Sequence, residues 1–363
     1  MIVIGTDTHK RTHTCGAVDA ATGRQAGELT AAAREPGFRE LLAWGRGIDG
    51  ERVWAVEDCR HVSGSLERFL VAAGERVVRV PPKLMGQSRR GERAAGRSDP
   101  IDALAVARAA LREGVETLPA AHLDEEALQI KLLLDHREDL VKARTEDQCR
   151  LRWHLHDLWP DLEIPAGALD RLVWLDRVAR RLSRAERSTR VIIARELVTE
   201  IRRRTRRAKE LGREIAALVE ARAPGLLGME GCGPLTAARL IAETGGAARF
   251  SSDAKFARLA GVAPIPASSG SRTRHRLDRG GNRRLNCALH RIAVTQGRCH
   301  APAREYLARR QAEGKTRREA LRCLKRHLAR RVWRLLLLSE RGRSEDPVDA
   351  QRDLQGPQIT ATA

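Results

Sequence analysis

Three short strand-like runs follow one another at the N-terminus, and their order limits the fold more than any other feature of the chain. Met1–Gly5 is apolar and continues to Asp7, while Thr14–Val18 and Gln25–Leu29 read as hairpin partners joined across Gly23. The pattern then changes. Pro36–Trp44 reads as a short helix, Arg52–Glu57 (R-V-W-A-V-E) alternates as a strand, and Ser65–Ala73 is helical. Arg76–Val80 is a further strand, stopped by Pro81-Pro82. After a basic, glycine-bearing loop, an Ala-rich helix runs from about Pro100 to Leu111. Strands joined by tight turns pair antiparallel, whereas strands separated by a helix pair parallel. A three-strand meander followed by helix–strand–helix–strand–helix is the order of a ribonuclease H-like α/β fold.

The rest of the chain is helical. Between Asp124 and Ala221 the sequence is highly charged, with Leu133, Leu140, Leu151, Leu155 and Leu158 at helical spacing until Pro160 and Pro165 interrupt it. A second helix, from Ser188 to Ala221, carries Ala194, Leu197, Val198, Ile201, Ala208, Leu211, Ile215 and Leu218 on one stripe. Narrow stripes on long helices predict antiparallel or intersubunit coiled-coil packing. The run Arg202–Arg207 on the polar face reads equally as a solvated face or as a lining for nucleic acid. From Pro224 onward a smaller, mainly helical region is expected. The division predicted is therefore 1–115 (α/β), 124–222 (coiled coil), 223–340 (C-terminal helical domain) and 341–363 (a polar, disordered tail).

Charge narrows the partners. Lys and Arg number 67 against 47 Asp and Glu, a formal net charge of +20. Arg272–Arg343 alone holds 22 basic and 5 acidic residues. A surface so charged points to a polyanion, and nucleic acid is the commonest one. The seven cysteines form no CxxC pair, which fits a reducing cytoplasm better than a disulfide framework. The longest apolar run, Leu335–Leu338, is too short for a membrane span.

Four acids stand out by position. Asp7 ends the first strand, and Glu57 ends the strand that this fold sets beside it; its neighbour Asp58 is the alternative. Asp99 and Asp102 lie three residues apart at a helix start and so share a face. Taken singly, each has an ordinary explanation: Asp7 as a strand-end polar residue, Asp99 as an N-cap before Pro100. Together they form a set that could hold two Mg2+ ions, and paired metals stabilise both the attacking and the leaving oxygen in phosphoryl transfer.

Two further motifs lie in the C-terminal third. Gly231-Cys232-Gly233-Pro234 before an Ala-rich helix has the form of a helix-hairpin-helix turn, in which glycines let backbone amides approach a phosphate. The loop P-I-P-A-S-S-G-S-R-T-R-H-R-L-D-R-G-G-N (264–282) sets Ser268, Ser269 and Ser271 beside Arg272, Arg274 and Arg276, with Arg283 and Arg284 just beyond. An arginine cluster is what a serine attacking a phosphodiester needs, because it neutralises the phosphate. Chemistry alone selects no single serine.

Taken in order, I-G-T-D-T-H-K (4–10), V-W-A-V-E (53–57), R-S-D-P-I-D-A (97–103), G-C-G-P-L-T-A (231–237), A-G-V-A-P (260–264), S-S-G (268–270) and G-G-N-R-R-L (280–285) resemble one family. It comprises the DEDD transposases of insertion sequences related to the Piv DNA invertases, whose mobile members are guided by a bridge RNA. The resemblance implies a RuvC-like N-terminal domain, a coiled-coil linker and a C-terminal serine domain. It implies that Asp7, Glu57, Asp99 and Asp102 bind Mg2+ and that Ser269, just before Gly270, is the nucleophile, with Ser268 one residue away. Donor and target DNA, a structured guide RNA and a homo-oligomer (dimer or tetramer) are the implied partners, in a prokaryotic cytoplasm and at the nucleoid when bound to DNA. Thr6 and Thr8 depart from the apolar residues common around the first acid. An RNA-independent invertase or junction-resolving nuclease would share most of these residues. A purely binding protein would have no need of the acids or of Ser269.

The basic C-terminal stretch makes a direct prediction. Affinity for DNA should fall steeply between low and moderate salt, because each neutralised phosphate releases counterions. Replacing Arg272, Arg274 and Arg276 together should flatten a plot of log affinity against log salt. A flat plot for the unaltered chain would contradict the reading.

Overall fold

The computed structural model describes residues 1–58, 60–81, 84, 98–121, 124–267, 275–278 and 280–342. They form two compact units, one of Met1–Asp124 with Ala248–Ser252, the other of Glu125–Ala247 with the chain from Asp253 on.

The first unit is a mixed α/β layer structure. Strands β1 (Ile2–Thr8), β2 (Thr12–Asp19) and β3 (Gln25–Ala32) form an antiparallel meander. Helix α1 (Glu35–Arg46) leads to β4 (Arg52–Glu57), and α2 (Arg60–Ala72) to β5 (Val77–Val80), with β4 parallel to both β1 and β5. The sheet order is β3-β2-β1-β4-β5, the ribonuclease H-like order expected. Helix α3 (Asp99–Glu113) covers one face, packing its Ala-rich side on Val3, Val53, Ala55, Val78 and Val80. Helices α1 and α2 cover the other, against Ile2, Ile4, Trp54 and Val56. Odd residues of β1 and β4 therefore face α3 and even ones face α1 and α2, as strand alternation requires.

Two features differ from the sequence reading here. Ser98, not Asp99, is the N-cap of α3; Asp99 is inside the helix, with Pro100 beside it in the first turn. Helix α2 begins at Arg60, earlier than the apolar pattern suggested, because its first turn is polar.

The second unit is built on two long helices, α4 (Glu125–Leu158) and α6 (Thr189–Arg222), each 34 residues, or roughly 50 Å. They run antiparallel. Arg222 pairs with Glu126 at 2.6 Å, Arg137 donates to the Ala208 carbonyl at 3.1 Å, Arg204 binds Asp147, and Arg190 binds Asp157. Ser188 caps α6, its hydroxyl accepting from Val191 N. On α4 the buried face uses Ile130 and Leu134 in place of Leu133. Within Arg202–Arg207, four arginines are held in ion pairs: Arg202 with Asp176, Arg203 with Glu200, Arg204 with Asp147 and Arg207 with Glu210. That favours the solvated-face reading of the run. A short helix α5 (Leu172–Ser183), not anticipated, buries Leu175, Val178 and Leu182 against the hairpin.

The remaining helices are α7 (Pro224–Leu227), the almost wholly buried α8 (Pro234–Thr244), α9 (Asp253–Leu259), α10 (Arg283–Cys299), α11 (Ala301–Ala312) and α12 (Arg317–Arg341). A two-residue ribbon, β6 (Ile265–Pro266) with β7 (His275–Arg276), lies between α9 and α10. Among the described residues no helix is long and apolar enough to cross a membrane.

Gly5 sets the seat of α3 on the sheet. A Cβ there would lie 2.1 Å from the Ala103 carbonyl oxygen and 2.3 Å from the Ala107 nitrogen, both backbone atoms. Gly5→Ala should therefore force helix and strand apart and cost about 3 kcal/mol or more. Denaturant unfolding tests this; a midpoint equal to that of the unaltered chain would refute it.

Candidate active site

The acidic cluster is assembled from three elements of the first unit. Asp7 lies at the end of β1, in register with Thr14 of β2. It faces α3 because Val3 and Gly5 do, and its residue is only 7% exposed. Asp99 and Asp102 occupy the first turn of α3 above it, where carboxylates also favour the helix dipole. The β1–β4 register reaches Thr6↔Val56. One step further along both strands come Asp7 and Glu57, on the face shared by Val53 and Ala55. Asp58 acts electrostatically on Arg79, and Arg79 binds Glu67 of α2 beneath the opposite face. Alternation thus favours Glu57 over Asp58 as the acid beside Asp7.

The electrostatics agree with this crowding. Burial raises the Asp7 carboxyl above its ordinary range, and the charges of Asp102 and Asp99 raise it further, while His9 opposes them. A buried carboxylate facing like charges is costly unless a cation joins it.

His9 was passed over in the sequence. Its Nε2 lies 2.9 Å from Asp7 Oδ2, within hydrogen-bond distance, and 3.4 Å from Asp99 Oδ1. The legible signal was the D-x-H spacing at the end of a strand, since residues i and i+2 point the same way. Asp7, His9 and Asp99 each offer a ligand atom within 4.8 Å of the other two. Hard carboxylate oxygens with one imidazole are a chemically sound donor set for a divalent cation, so the residues fit one.

In the second unit, Ser268, Ser269, Arg272 and Arg274 lie outside the described residues, but the base of their loop is well defined. Gly261 (φ +62°) and Gly281 meet backbone to backbone: a Cβ on Gly281 would stand 2.2 Å from Gly261 N. Asn282 N donates to the Leu259 carbonyl at 2.6 Å, and Pro266 pairs with His275. Asn286 donates to the Ala260 and Gly261 carbonyls and accepts from the buried Lys325 ammonium at 2.8 Å. A-G-V-A-P and G-G-N are thus the two clamped ends of the serine loop. Arg276 and Arg283 are exposed beside it.

Gly231 and Gly233 have different surroundings. Gly231 has φ +80°, and a Cβ there would lie 2.9 Å from Thr295 Cβ, so packing against α10 accounts for it. Gly233 is the exposed N-cap of α8 with open space beside it. Behind this turn lies an ion cluster. Arg239 binds Asp135, Glu138 and Glu243; Lys131 binds Asp135; Asn282 donates to Glu243; Arg284 binds Asp135 at 2.9 Å. Burial alone would raise the Asp135 carboxyl, but its bonds to Lys131 and Arg239 bring it below its ordinary range. Arg284 is therefore tied to this cluster as well as half exposed.

Two family models match different parts of the chain. Residues 4–160 match the DEDD transposase model of the IS110 type, and residues 223–308 match the model of the IS116/IS110/IS902 transposase family. The chain is 28% identical to the uncharacterized 44.8 kDa protein of insertion element IS116 of Streptomyces clavuligerus, over 92% of this chain and 94% of that protein. It is 27% identical to the uncharacterized 42 kDa protein of IS900 of Mycobacterium paratuberculosis, over the same shares. Among solved structures, "T. thermophilus RuvC in complex with Holliday junction substrate" matches at 18% identity with a TM-score of 0.25, covering 31% of this chain and 96% of that one. That last likeness is too slight to carry an argument. The two family models, in order along one chain, and full-length relatives do carry one. The protein is a transposase, an enzyme that cuts and rejoins DNA, similar along most of its length to the IS110/IS116/IS902 transposases.

The cluster makes a stability prediction. The Asp7 carboxyl is raised in the folded state, so the cost of its ionisation is absent below the unfolded value and fully present above the folded one. Without divalent cations, Asp7→Asn should raise the melting temperature by a few degrees at neutral pH. The gain should vanish as pH falls through the Asp7 titration. Added Mn2+ should stabilise the unaltered chain but not the variant. An unchanged melting temperature together with an intact Mn2+ response would contradict this.

Proposed function

We propose that the protein is a DNA recombinase in which Asp7, Glu57, Asp99 and Asp102 hold Mg2+ and Ser269 is the nucleophile, directed to its sites by a structured RNA. What carries the reading is the crowding of Asp99 and Asp102 on the buried Asp7 in a transposase. Divalent cations at such carboxylates neutralise charge on the attacking and leaving oxygens of a phosphodiester.

The chain's own groups divide the remaining work. Asp7, buried at a strand end, is fixed in place; Asp99 and Asp102, on a rigid first helical turn, keep a constant separation. In sequence, Ser269 and its arginines lie between the two clamped segments, 260–264 and 280–282. In the serine step, the Ser269 Oγ–phosphorus bond forms as a phosphorus–oxygen bond of the DNA breaks. The departing oxygen takes up a proton, and the phosphodiester's energy is kept in the phosphoserine link. Arg272, Arg274 and Arg276 neutralise the phosphate. Rejoining reverses the step with the hydroxyl of another strand and needs no nucleotide cofactor. A nuclease would instead release free ends.

Two variants test the halves separately. Asp102→Asn should abolish strand cleavage, at least 100-fold, while leaving DNA affinity within a few-fold, because Lys and Arg supply most binding. Ser269→Ala should abolish the covalent protein–DNA adduct trapped on a suicide substrate. An adduct mapped to Ser268 would move the nucleophile by one residue, and recombination at the unaltered rate would exclude a serine step. Sequencing of copurifying nucleic acid should return an RNA of discrete length. Its absence from an active preparation would leave an RNA-independent recombinase.

A further inference from the structure

We propose that His9 is itself a ligand to the cation held by Asp7 and Asp99, so that the centre is a mixed nitrogen–oxygen site and not an all-carboxylate one. The inference rests on the carboxylate reading above and adds to it a residue that the four-acid pattern does not include.

The backbone fixes His9 where a ligand is needed. It directly follows β1, and its amide donates to the Thr12 carbonyl at 3.0 Å, closing the β1–β2 turn. Its side chain leaves on the same side as Asp7. Nε2 is 2.9 Å from Asp7 Oδ2 and 3.4 Å from Asp99 Oδ1. Ligand atoms about 2.1 Å from one ion and at right angles around it stand about 3 Å apart. Nε2 thus already stands at about the spacing of a neighbouring ligand from each of the two carboxylate oxygens, and the three residues' ligand atoms all lie within 4.8 Å of one another. The imidazole side chain is 52% exposed and that of Asp99 50%, while that of Asp7 is 10% exposed. The site is anchored on its buried side and open on the other, where water and a DNA phosphate can complete the coordination.

An ordinary Asp–His hydrogen bond would account for the 2.9 Å contact alone. It gives no reason for the same nitrogen to lie within 3.4 Å of a second carboxylate on a different element. The chemical consequence is selectivity. Imidazole nitrogen favours Mn2+ and later first-row ions over Mg2+, which prefers oxygen throughout. His9 should therefore strengthen Mn2+ binding more than Mg2+ binding.

The test uses the full chain stripped of metal, with MnCl2 as probe and MgCl2 as competitor. Pulsed electron paramagnetic resonance of bound Mn2+ should show 14N modulation from a directly bound imidazole. His9→Gln, a change in a half-exposed turn, should keep the circular dichroism spectrum and lose that modulation. Its Mn2+ affinity should fall about tenfold or more, with Mg2+ affinity falling no more than about threefold. Asp99→Asn should weaken both ions alike. Mn2+ bound by the unaltered chain without 14N modulation, or modulation and affinity retained in His9→Gln, would overturn the His9 assignment and leave the carboxylate site standing. Failure of the folded, unaltered chain to bind Mn2+ at all would overturn both.

Discussion

The close approach of α3 to β1 at Gly5 is the constraint on which the acidic cluster depends. A strand and a helix normally keep a layer of side chains between them. Here the absence of a Cβ lets the Ala103 carbonyl and Ala107 amide come within contact distance of the strand backbone. Gly16, on the neighbouring strand, leaves room for Leu104 in the same way. The helix is drawn down until its first turn, with Asp99 and Asp102, overhangs the end of β1. A larger residue at position 5 would lift the acids away from Asp7 and relieve its like-charge strain. The arrangement therefore trades stability for a concentrated negative charge, as functional sites commonly do.

The second unit solves a different problem, which is to hold a polar, arginine-rich loop on a small helical body. Its answer is backbone contact plus buried ion pairs. Gly261 and Gly281 press the two loop ends together, and Asn286 with Lys325 secures one of them. Asn282, through Glu243 and Arg239, ties the other to the long helix α4. Burial depresses the Lys325 ammonium below its ordinary range, so its bond to Asn286 matters more than a surface contact would. Buried ionic groups of this kind add little net stability over apolar packing, but losing one partner leaves another charge stranded. They hold the loop ends in a defined arrangement more than they strengthen the fold.

Much of this was open to reading in the sequence, for identifiable reasons. Strand alternation and helix-separated strands gave the sheet order, because pairing direction follows connection length. The apolar stripes of α4 and α6 predicted antiparallel or intersubunit packing, and the structure decides for antiparallel packing within one chain; the contact on α4 is Leu134, one residue from Leu133, since a one-residue choice shifts a helical face by about 100°. Helix α5 is poorly legible because its repeat Leu172, Leu175, Val178, Leu182 is short and follows two prolines, Pro160 and Pro165. His9 escaped because a lone histidine carries no motif until a carboxylate from another element approaches it.

By itself, then, the chain determined its α/β-then-α order, its basic C-terminal surface, and the acids that end β1 and β4 and begin α3, since periodicity, charge and turn residues are local properties. Tertiary structure decided which of those acids share a face, that Ser98 and not Asp99 caps α3, that Gly231 answers to Thr295, and that His9 joins Asp7 and Asp99. All but the cap, which is a matter of local backbone angles, depend on how closely two backbones approach. That distance is set by the side chains missing between them, which no single segment reveals.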